Sequence, residues 1–413
     1  MNVKLTAPSR IACEIDLPAS KSISNRVLII DALCGGRCRL QRVARCDDTA
    51  AVQRALAAPE ARRVDVGAAG TAMRFLTAYL ATCEGRDVIV DGSERMRHRP
   101  IGVLVDALRQ LGASIDYAGP EEGYAPLHIR GTKLHGGRVS MAGNVSSQYV
   151  TALLLIAPAM GGIELALEGE IASRPYIDMT LALMQQFGIG SRVDGNVITV
   201  PAGEYQPRDY SIEADWSAAS YWCALQALLP GSRITLKGLE ACSCQGDSRI
   251  AQLVWDLGVN SSWCGRYLDL STRAVVPDGP VTADLADVPD LAQTLAVTLC
   301  LLGRPYRLTG LATLRIKETD RLAALQAELL KLGYVVHVEG DDTLHWDGST
   351  TPPVEPVPHI ATYCDHRMAM AMALAAVRFP GLVIDDAQVV SKSYPQYWQH
   401  LRQAGFKIEQ TER

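Results

Sequence analysis

Ser20-Lys21-Ser22-Ile23-Ser24-Asn25-Arg26 places hydroxyls, an ammonium and a guanidinium just before Val27 to Leu33, an apolar run of helical length. Ile11, Cys13, Ile15 and Leu17 alternate ahead of it as in a strand, so the chain turns from strand to helix near Ser20. The first N–H groups of a helix have no partner inside it, and with cations beside them they suit a phosphate or carboxylate. A capped surface helix is the plainer alternative, with Ser20 as N-cap in either case.

Other polar stretches have the same character. Gly70-Thr71-Ala72-Met73-Arg74 joins a glycine, which lets a ligand approach the backbone, to a hydroxyl and a guanidinium. Arg95-Met96-Arg97-His98-Arg99-Pro100 gathers guanidiniums ahead of a proline suited to a first helical turn. Asn144-Val145-Ser146-Ser147-Gln148 and Ser173-Arg174-Pro175 add uncharged donors. Asp290 sits before a long apolar helix, Lys317-Glu318-Thr319-Asp320-Arg321 alternates charge before Leu322, Asp365-His366-Arg367 precedes Met368, and Lys392-Ser393-Tyr394 is expected to open the last helix. Each alone reads as an ordinary cap or solvated turn. Together they put cations and hydroxyls at almost every helix start, which packing alone does not require.

The elements that must position these residues recur. Gly112, Gly188, Gly258, Gly333 and Gly405 each follow a helical pattern and precede a strand-like one, at separations of 76, 70, 75 and 72 residues. Further helices start near Gly70, Ser146, Asp215, Asp290 and Asp365, with a similar period. The first start, at Ser20, comes only 50 residues before Gly70, so the opening copy is abridged. Its second helix, roughly 48–58, ends at Ala58-Pro59 without the glycine. We read six repeats, each with two helices and intervening strands. Alternation of this kind predicts α/β layers. The second helices are amphipathic, as in Ile101, Leu104, Val105, Leu108 and Leu111, and should cover sheets. The first helices, 149–159, 218–229, 291–302 and 368–377, are nearly all apolar and read as buried, with their polar N-termini directed to a common cleft.

Composition excludes several classes. A net charge of −5 over 413 residues gives no general attraction to nucleic acid or anionic membrane, so an anion site must be built locally. No apolar run reaches membrane-spanning length and the N-terminus lacks a signal-peptide core, which predicts a cytoplasmic protein. Eleven cysteines without a framework suit reduced thiols, and Cys242-Ser243-Cys244 with Cys264 lacks the spacing of a metal site.

In chain order, Leu17 to Arg26, Ala69 to Arg74, Arg95 to Gly102, Val145 to Gln148, Lys317 to Arg321 and Asp365 to Met370 resemble the motifs of the 5-enolpyruvylshikimate-3-phosphate synthase family, from residue 17 to about 398. The resemblance implies an α/β fold of two domains, each of three βαβαββ units around buried parallel helices. The N-terminal lobe would be residues 20–213 and the C-terminal lobe residues 1–19 with 214–413, closing on a cleft. The implied reaction moves the carboxyvinyl group of phosphoenolpyruvate to the 5-hydroxyl of shikimate 3-phosphate and releases phosphate, in a monomer, without metal or cofactor. By similarity Lys21, Ser22, Arg26, Ser146, Ser147, Gln148, Ser173, Asp290 and Lys317 would hold shikimate 3-phosphate. Lys21, Gly70, Arg99, Gln148, Arg321, Arg367 and Lys392 would hold phosphoenolpyruvate. Asp290 would act as base and Glu318 as proton donor, with Lys21 and His366 assisting. The two substrates bring together roughly −5 to −6 of charge, which explains the demand for cations and helix N-termini.

The sequence departs from the family pattern at Ala68 and Thr313, where asparagines are usual, at Phe75, where proline is usual, and in the abridged first repeat. None removes a cation or carboxyl. Phe75 predicts weaker inhibition by glyphosate, the family's phosphoenolpyruvate mimic. The alternatives are the related transferase acting on UDP-N-acetylglucosamine, whose loop cysteine has no evident counterpart here, and a catalytically silent anion-binding homologue.

Overall fold

The repeat glycines all adopt left-handed backbone, with φ of +92° at Gly112, +88° at Gly188, +90° at Gly258, +93° at Gly333 and +96° at Gly405. Each lets the next N–H fold back on the helix: Ala113 donates to the Leu108 carbonyl, Ile189 to Met184, Val259 to Val254, Tyr334 to Leu329 and Phe406 to Leu401. These are Schellman closures, and they turn the chain sharply from helix to strand.

The computed structural model describes residues 1–411, and the chain divides into two compact units, one of residues 19–212 and one of residues 1–18 with those from 213 onward. Among the described residues five sheets have four strands each, and all five share one pattern. A parallel pair is extended by two antiparallel strands. In the first unit Arg63–Asp65 runs parallel to Asp87–Asp91, followed by Leu127–Arg130 and Ser114–Tyr117. Gly137–Ala142, Gly162–Glu168, Val197–Pro201 and Arg192–Asp194 repeat this order. The abridged repeat has only Arg39–Gln41, paired in parallel with Asp209–Ser211. Its second helix is Asp47–Ala57.

In the second unit the N-terminal residues complete two sheets. Ala12–Asp16 pairs in parallel with Arg233–Lys237, and Asn2–Thr6 lies between Leu382–Ile384 and Lys407–Thr411. Residues 1–18 are therefore integral to that unit.

The first helices of the repeats are buried nearly all round. Every residue from Tyr149 to Ile156 is buried, as is every residue from Ala292 to Leu301. A fully buried Leu or Ile contributes roughly 1.5–3 kcal/mol, so these apolar segments are stable only as central helices clothed by the amphipathic second helices and sheets. The helix of Ser147–Ile156 ends before the expected Ala159, and Ala157–Met160 tightens to a 3-10 turn because Pro158 cannot continue the i to i−4 ladder. Lys392 does not open the last helix. It ends a 3-10 turn, Ala387–Lys392, and the helix begins at Tyr397 because Pro395 disfavours helical backbone in the residue before it.

Within each unit the central helices run in the same direction. Arg26, sixth in the Lys21–Leu33 helix, lies over the ring of Phe75, sixth in Gly70–Thr82, and donates to Thr151, fifth in Ser147–Ile156. In the second unit Arg367, second in His366–Ala373, reaches Ser217, second in Trp216–Leu228. Equal positions meet, so each unit has its helix N-termini at one end.

Candidate functional site

At that end of the first unit, Ser20 caps the Lys21–Leu33 helix, its Oγ accepting from the Ile23 N–H at 3.4 Å. Lys21 Nζ stands 3.1 Å from Asp48 Oδ2, a carboxylate that is only 4% exposed. Arg26 is buried. Its Nε donates to Thr180 Oγ1 at 2.8 Å and its Nη groups to the Ser22 and Tyr176 carbonyls, so it braces the start of the Arg174–Gln186 helix as well as its own. Ser173, just before that helix, holds a left-handed backbone at φ +55°, unusual for a residue with a Cβ. Ser146 caps Ser147–Ile156, accepting from the Gln148 N–H at 3.4 Å.

Gly70 is the first residue of its helix and Ala69, not Thr71, is the N-cap. Thr71 Oγ1 instead accepts from Gln148 Nε2 at 3.1 Å, tying two helix starts together. A Cβ built on Gly70 would meet Arg99 Nη1 at 2.6 Å, so the guanidinium lies directly over this glycine. Arg97, two residues earlier, goes elsewhere. Arg97 makes a two-point contact with Asp91, at 2.9 and 2.6 Å, and Arg63 joins the same carboxylate at 2.6 Å. The Arg97 hydrogen bond, against burial, holds the Asp91 carboxyl below its ordinary range. Buried Arg74 fixes the intervening loop by donating to the Pro100 carbonyl at 2.7 Å. A cavity of about 880 Å³ in this unit, lined by Cys34, Lys133 and Met160 among others, adjoins the opposite, C-terminal ends of the helices and contains none of these residues.

The second unit centres on Arg321, whose side chain is 2% exposed. Nε donates to Asp365 Oδ2 at 2.7 Å, Nη1 to Asp290 Oδ1 at 2.9 Å, and Nη2 to Glu318 Oε2 at 3.0 Å and Asp365 Oδ1 at 3.4 Å. A guanidinium has five N–H donors, so Arg321 is almost wholly committed to three carboxylates. Burial opposes its charge, but Asp365, Glu318 and Asp290 outweigh that and keep its proton more tightly bound than usual. Arg367 Nη2 donates to Asp290 Oδ2 at 2.8 Å, and Lys392 Nζ to Glu318 Oε1 at 2.6 Å. Lys317 Nζ lies 4.0 Å from Asp290 Oδ1. His366 is 1% exposed, with Nδ1 3.7 Å from Asp365 Oδ1, beyond hydrogen-bonding distance.

The sequence motif of the family described as EPSP synthase (3-phosphoshikimate 1-carboxyvinyltransferase) matches residues 5–58 and 50–401. A 3-phosphoshikimate 1-carboxyvinyltransferase of Bacteroides fragilis is 49% identical, covering 99% of both chains. One of Shewanella pealeana is 37% identical, covering 96% of this chain and 97% of its own.

The chain belongs to the EPSP synthase family.

An EPSP synthase structure from Acinetobacter baumannii shares the fold, with a TM-score of 0.76 over 99% of this chain and 100% of its own at 19% identity. The EPSP synthase motifs thus lie on two sets of helix starts, one in each unit. Three residues of these sets escaped the sequence reading. Asp48 looked like part of a helix start yet holds Lys21; Asp365 looked like a cap alone yet anchors Arg321; and Asp247 had no visible signal although its carboxyl accepts from Ser217, next to Arg367. Thr313 Oγ1 is buried without a partner, so the residue standing for the usual asparagine is not engaged by the protein. No helix among the described residues is long and apolar enough to cross a membrane.

Proposed function

We propose that the protein transfers the carboxyvinyl group of phosphoenolpyruvate to the 5-hydroxyl of shikimate 3-phosphate with release of phosphate, in aromatic amino acid biosynthesis, and that both helix-start sets serve this one reaction. The observation that carries the reading is the Arg321 cluster: two partly exposed carboxyls, Asp290 and Glu318, share one buried guanidinium beside Arg367, Lys392 and Lys317, in a chain of this family. Addition requires a proton on the methylene carbon of phosphoenolpyruvate and loss of one from the attacking hydroxyl. Elimination then removes a proton from the new methyl group and expels phosphate.

Two carboxyls can divide this work if substrate changes their surroundings. Lys392 holds Glu318 and Arg367 holds Asp290. Phosphoenolpyruvate engaging those cations weakens their grip, so Glu318 gains proton affinity and becomes the donor while Asp290 gains basicity toward the 5-hydroxyl. We assign shikimate 3-phosphate to Lys21, Ser22, Arg26, Ser146, Ser147, Gln148, Ser173, Asp290 and Lys317. Phosphoenolpyruvate goes to Lys21, Gly70, Arg99, Gln148, Arg321, Arg367 and Lys392. Arg321 fits there chiefly as the anchor that sets Asp290 and Glu318, and His366 as packing beside Asp365.

Phosphate release from phosphoenolpyruvate is the test. It should require shikimate 3-phosphate and should not occur with UDP-N-acetylglucosamine in its place; release with the sugar nucleotide, or none with either acceptor, overturns the reading. No observation favours either alternative. We further place the enzyme in the cytoplasm as a monomer, for which light scattering should give about the chain mass of 44.6 kDa. Phe75 is buried, with the Arg26 guanidinium 5.6 Å from its ring centre, so its bulk packs within the Gly70 helix region at the position where the family pattern has proline. Glyphosate should accordingly inhibit less tightly than in proline-bearing relatives, as an inhibition constant will show.

A further inference from the structure

Asp247 lies in the short 3-10 turn Gly246–Arg249 and is 5% exposed. Its two oxygens differ. One, Oδ2, accepts from the Ser217 hydroxyl, while Oδ1 is buried without a hydrogen-bond partner. Because Ser217 donates its only hydroxyl proton to Asp247, its lone pairs are left for Arg367, whose Nη2 stands 3.2 Å away. That same Nη2 donates to Asp290 Oδ2 at 2.8 Å. A chain of contacts therefore runs from a buried carboxyl through a hydroxyl to a guanidinium of the functional cluster.

A buried carboxylate with an unsatisfied oxygen is costly in a packed interior, and a purely structural role would be met as well by an amide or an apolar residue. The charged groups facing it are Arg367 from the His366–Ala373 helix, Asp290 from the Pro289–Leu291 turn, and Asp215, the N-cap of the Trp216–Leu228 helix. Two of these are negative, so an anion arriving at Arg367 would add to an already acidic neighbourhood. A proton on Oδ1, the free oxygen, relieves that repulsion and leaves Oδ2 still accepting from Ser217.

We propose that Asp247 is a positioning residue for the phosphoenolpyruvate part of the site, one that orients Ser217 toward Arg367 and takes a proton from solvent when the substrate anion engages that guanidinium. The proposal rests on the assignment of Arg367 to phosphoenolpyruvate. Burial, set against Arg367 and reinforced by Asp290, raises the Asp247 carboxyl to about 6, which brings the exchange into the working pH range.

Two variants separate the parts of the proposal. Asp247→Asn keeps an oxygen for Ser217 but neither gains nor loses a proton in this pH range, and Ser217→Ala cuts the link while leaving the carboxyl. The measurement is kcat and KM for phosphoenolpyruvate from pH 5 to 8, with shikimate 3-phosphate saturating. The ratio of kcat/KM in Asp247→Asn to that in the parent should rise roughly 100-fold from pH 5 to 8, since a carboxyl titrating at about 6 is mostly protonated at pH 5 and only about 1% protonated at pH 8, while the substrate's own titration cancels. Ser217→Ala should raise KM about tenfold, leave kcat within about threefold, and move the pH dependence to higher pH, because the lost hydroxyl no longer stabilises the ionised Asp247 carboxyl. A flat ratio for the Asn variant overturns the proton exchange, and a parental KM in Ser217→Ala overturns the positioning. If urea denaturation shows that Asp247→Asn does not fold, Ser217→Ala alone decides, with parental KM counting against the proposal and the raised KM for it. A parent without shikimate 3-phosphate-dependent phosphate release would instead defeat the assigned reaction itself.

Discussion

Gly70 and Arg99 illustrate how far a residue type can be read without coordinates. The glycine was legible as a place of close approach, but only the geometry identifies what approaches: the Arg99 guanidinium, within 3.0 Å of a notional Cβ. Gly70→Ala should therefore displace Arg99 and raise KM for phosphoenolpyruvate roughly 10- to 100-fold, the scale of a charge-assisted contact, with shikimate 3-phosphate binding unchanged in a titration. Of the three arginines in 95–99 the family resemblance singled out Arg99, but the residues alone did not show that Arg97 is taken by Asp91, which comes from a preceding strand end. Buried partners were hidden for the same reason, since Asp48 resembles a helix-start acid until its neighbours are known and Asp247 carries no signal in the sequence at all. Asp247 also carries a stability consequence. Its folded-state carboxyl, at about 6, binds a proton more tightly than the ordinary 3.8, so ionising it penalises the folded protein as pH rises from 4 to 6, and the penalty is complete above 6. Asp247→Asn should thus look more favourable, relative to the parent, at pH 7.5 than at pH 4.5 by roughly 2 kcal/mol in urea denaturation.

Helix ends were the most legible elements, because a left-handed turn after a helix strongly prefers glycine and all five repeat glycines adopt it. Helix starts were legible as polar clusters but not as geometry: Thr71 bridges to Gln148 instead of capping, and proline moves the last helix start from Lys392 to Tyr397. Asp365 shows why a cap can be more than a cap. Its Oδ1 accepts from the Arg367 N–H at 2.8 Å, fixing the helix start, while both oxygens face Arg321. Removing it loses the cap and leaves a guanidinium that is 2% exposed short of its closest carboxylate. Asp365→Ala should destabilise the fold by about 3–5 kcal/mol, well beyond the ~1 kcal/mol of an exposed cap, as read from the midpoint of denaturant unfolding. A loss near 1 kcal/mol would mean that Glu318 and Asp290 suffice to balance Arg321.

At the scale of the chain, the repeat pattern accounts for which pieces can fold alone. Residues 19–212 draw every strand of their sheets from within that span, including the two-stranded sheet of the abridged repeat, whose Arg39–Gln41 finds its partner at Asp209–Ser211. The other unit cannot be cut at residue 213 in the same way. Without residues 1–18 the sheet of Leu382–Ile384 and Lys407–Thr411 loses the strand that lies between them, and Arg233–Lys237 becomes an edge with its parallel ladder unpaired. Val3, Leu5, Ile11, Ile15 and Leu17 are each at most 1% exposed, and at roughly 1.5–3 kcal/mol apiece their loss matches or exceeds the whole margin by which a typical domain is stable. A fragment of residues 19–212 should accordingly unfold cooperatively in urea with a native circular-dichroism spectrum. A fragment of residues 213–413 should not, and adding back residues 1–18 through a flexible linker to residue 213 should restore a cooperative transition. Cooperative unfolding of residues 213–413 alone would show that the sheets close without their N-terminal strands, and that the crossing of the chain is dispensable for the fold.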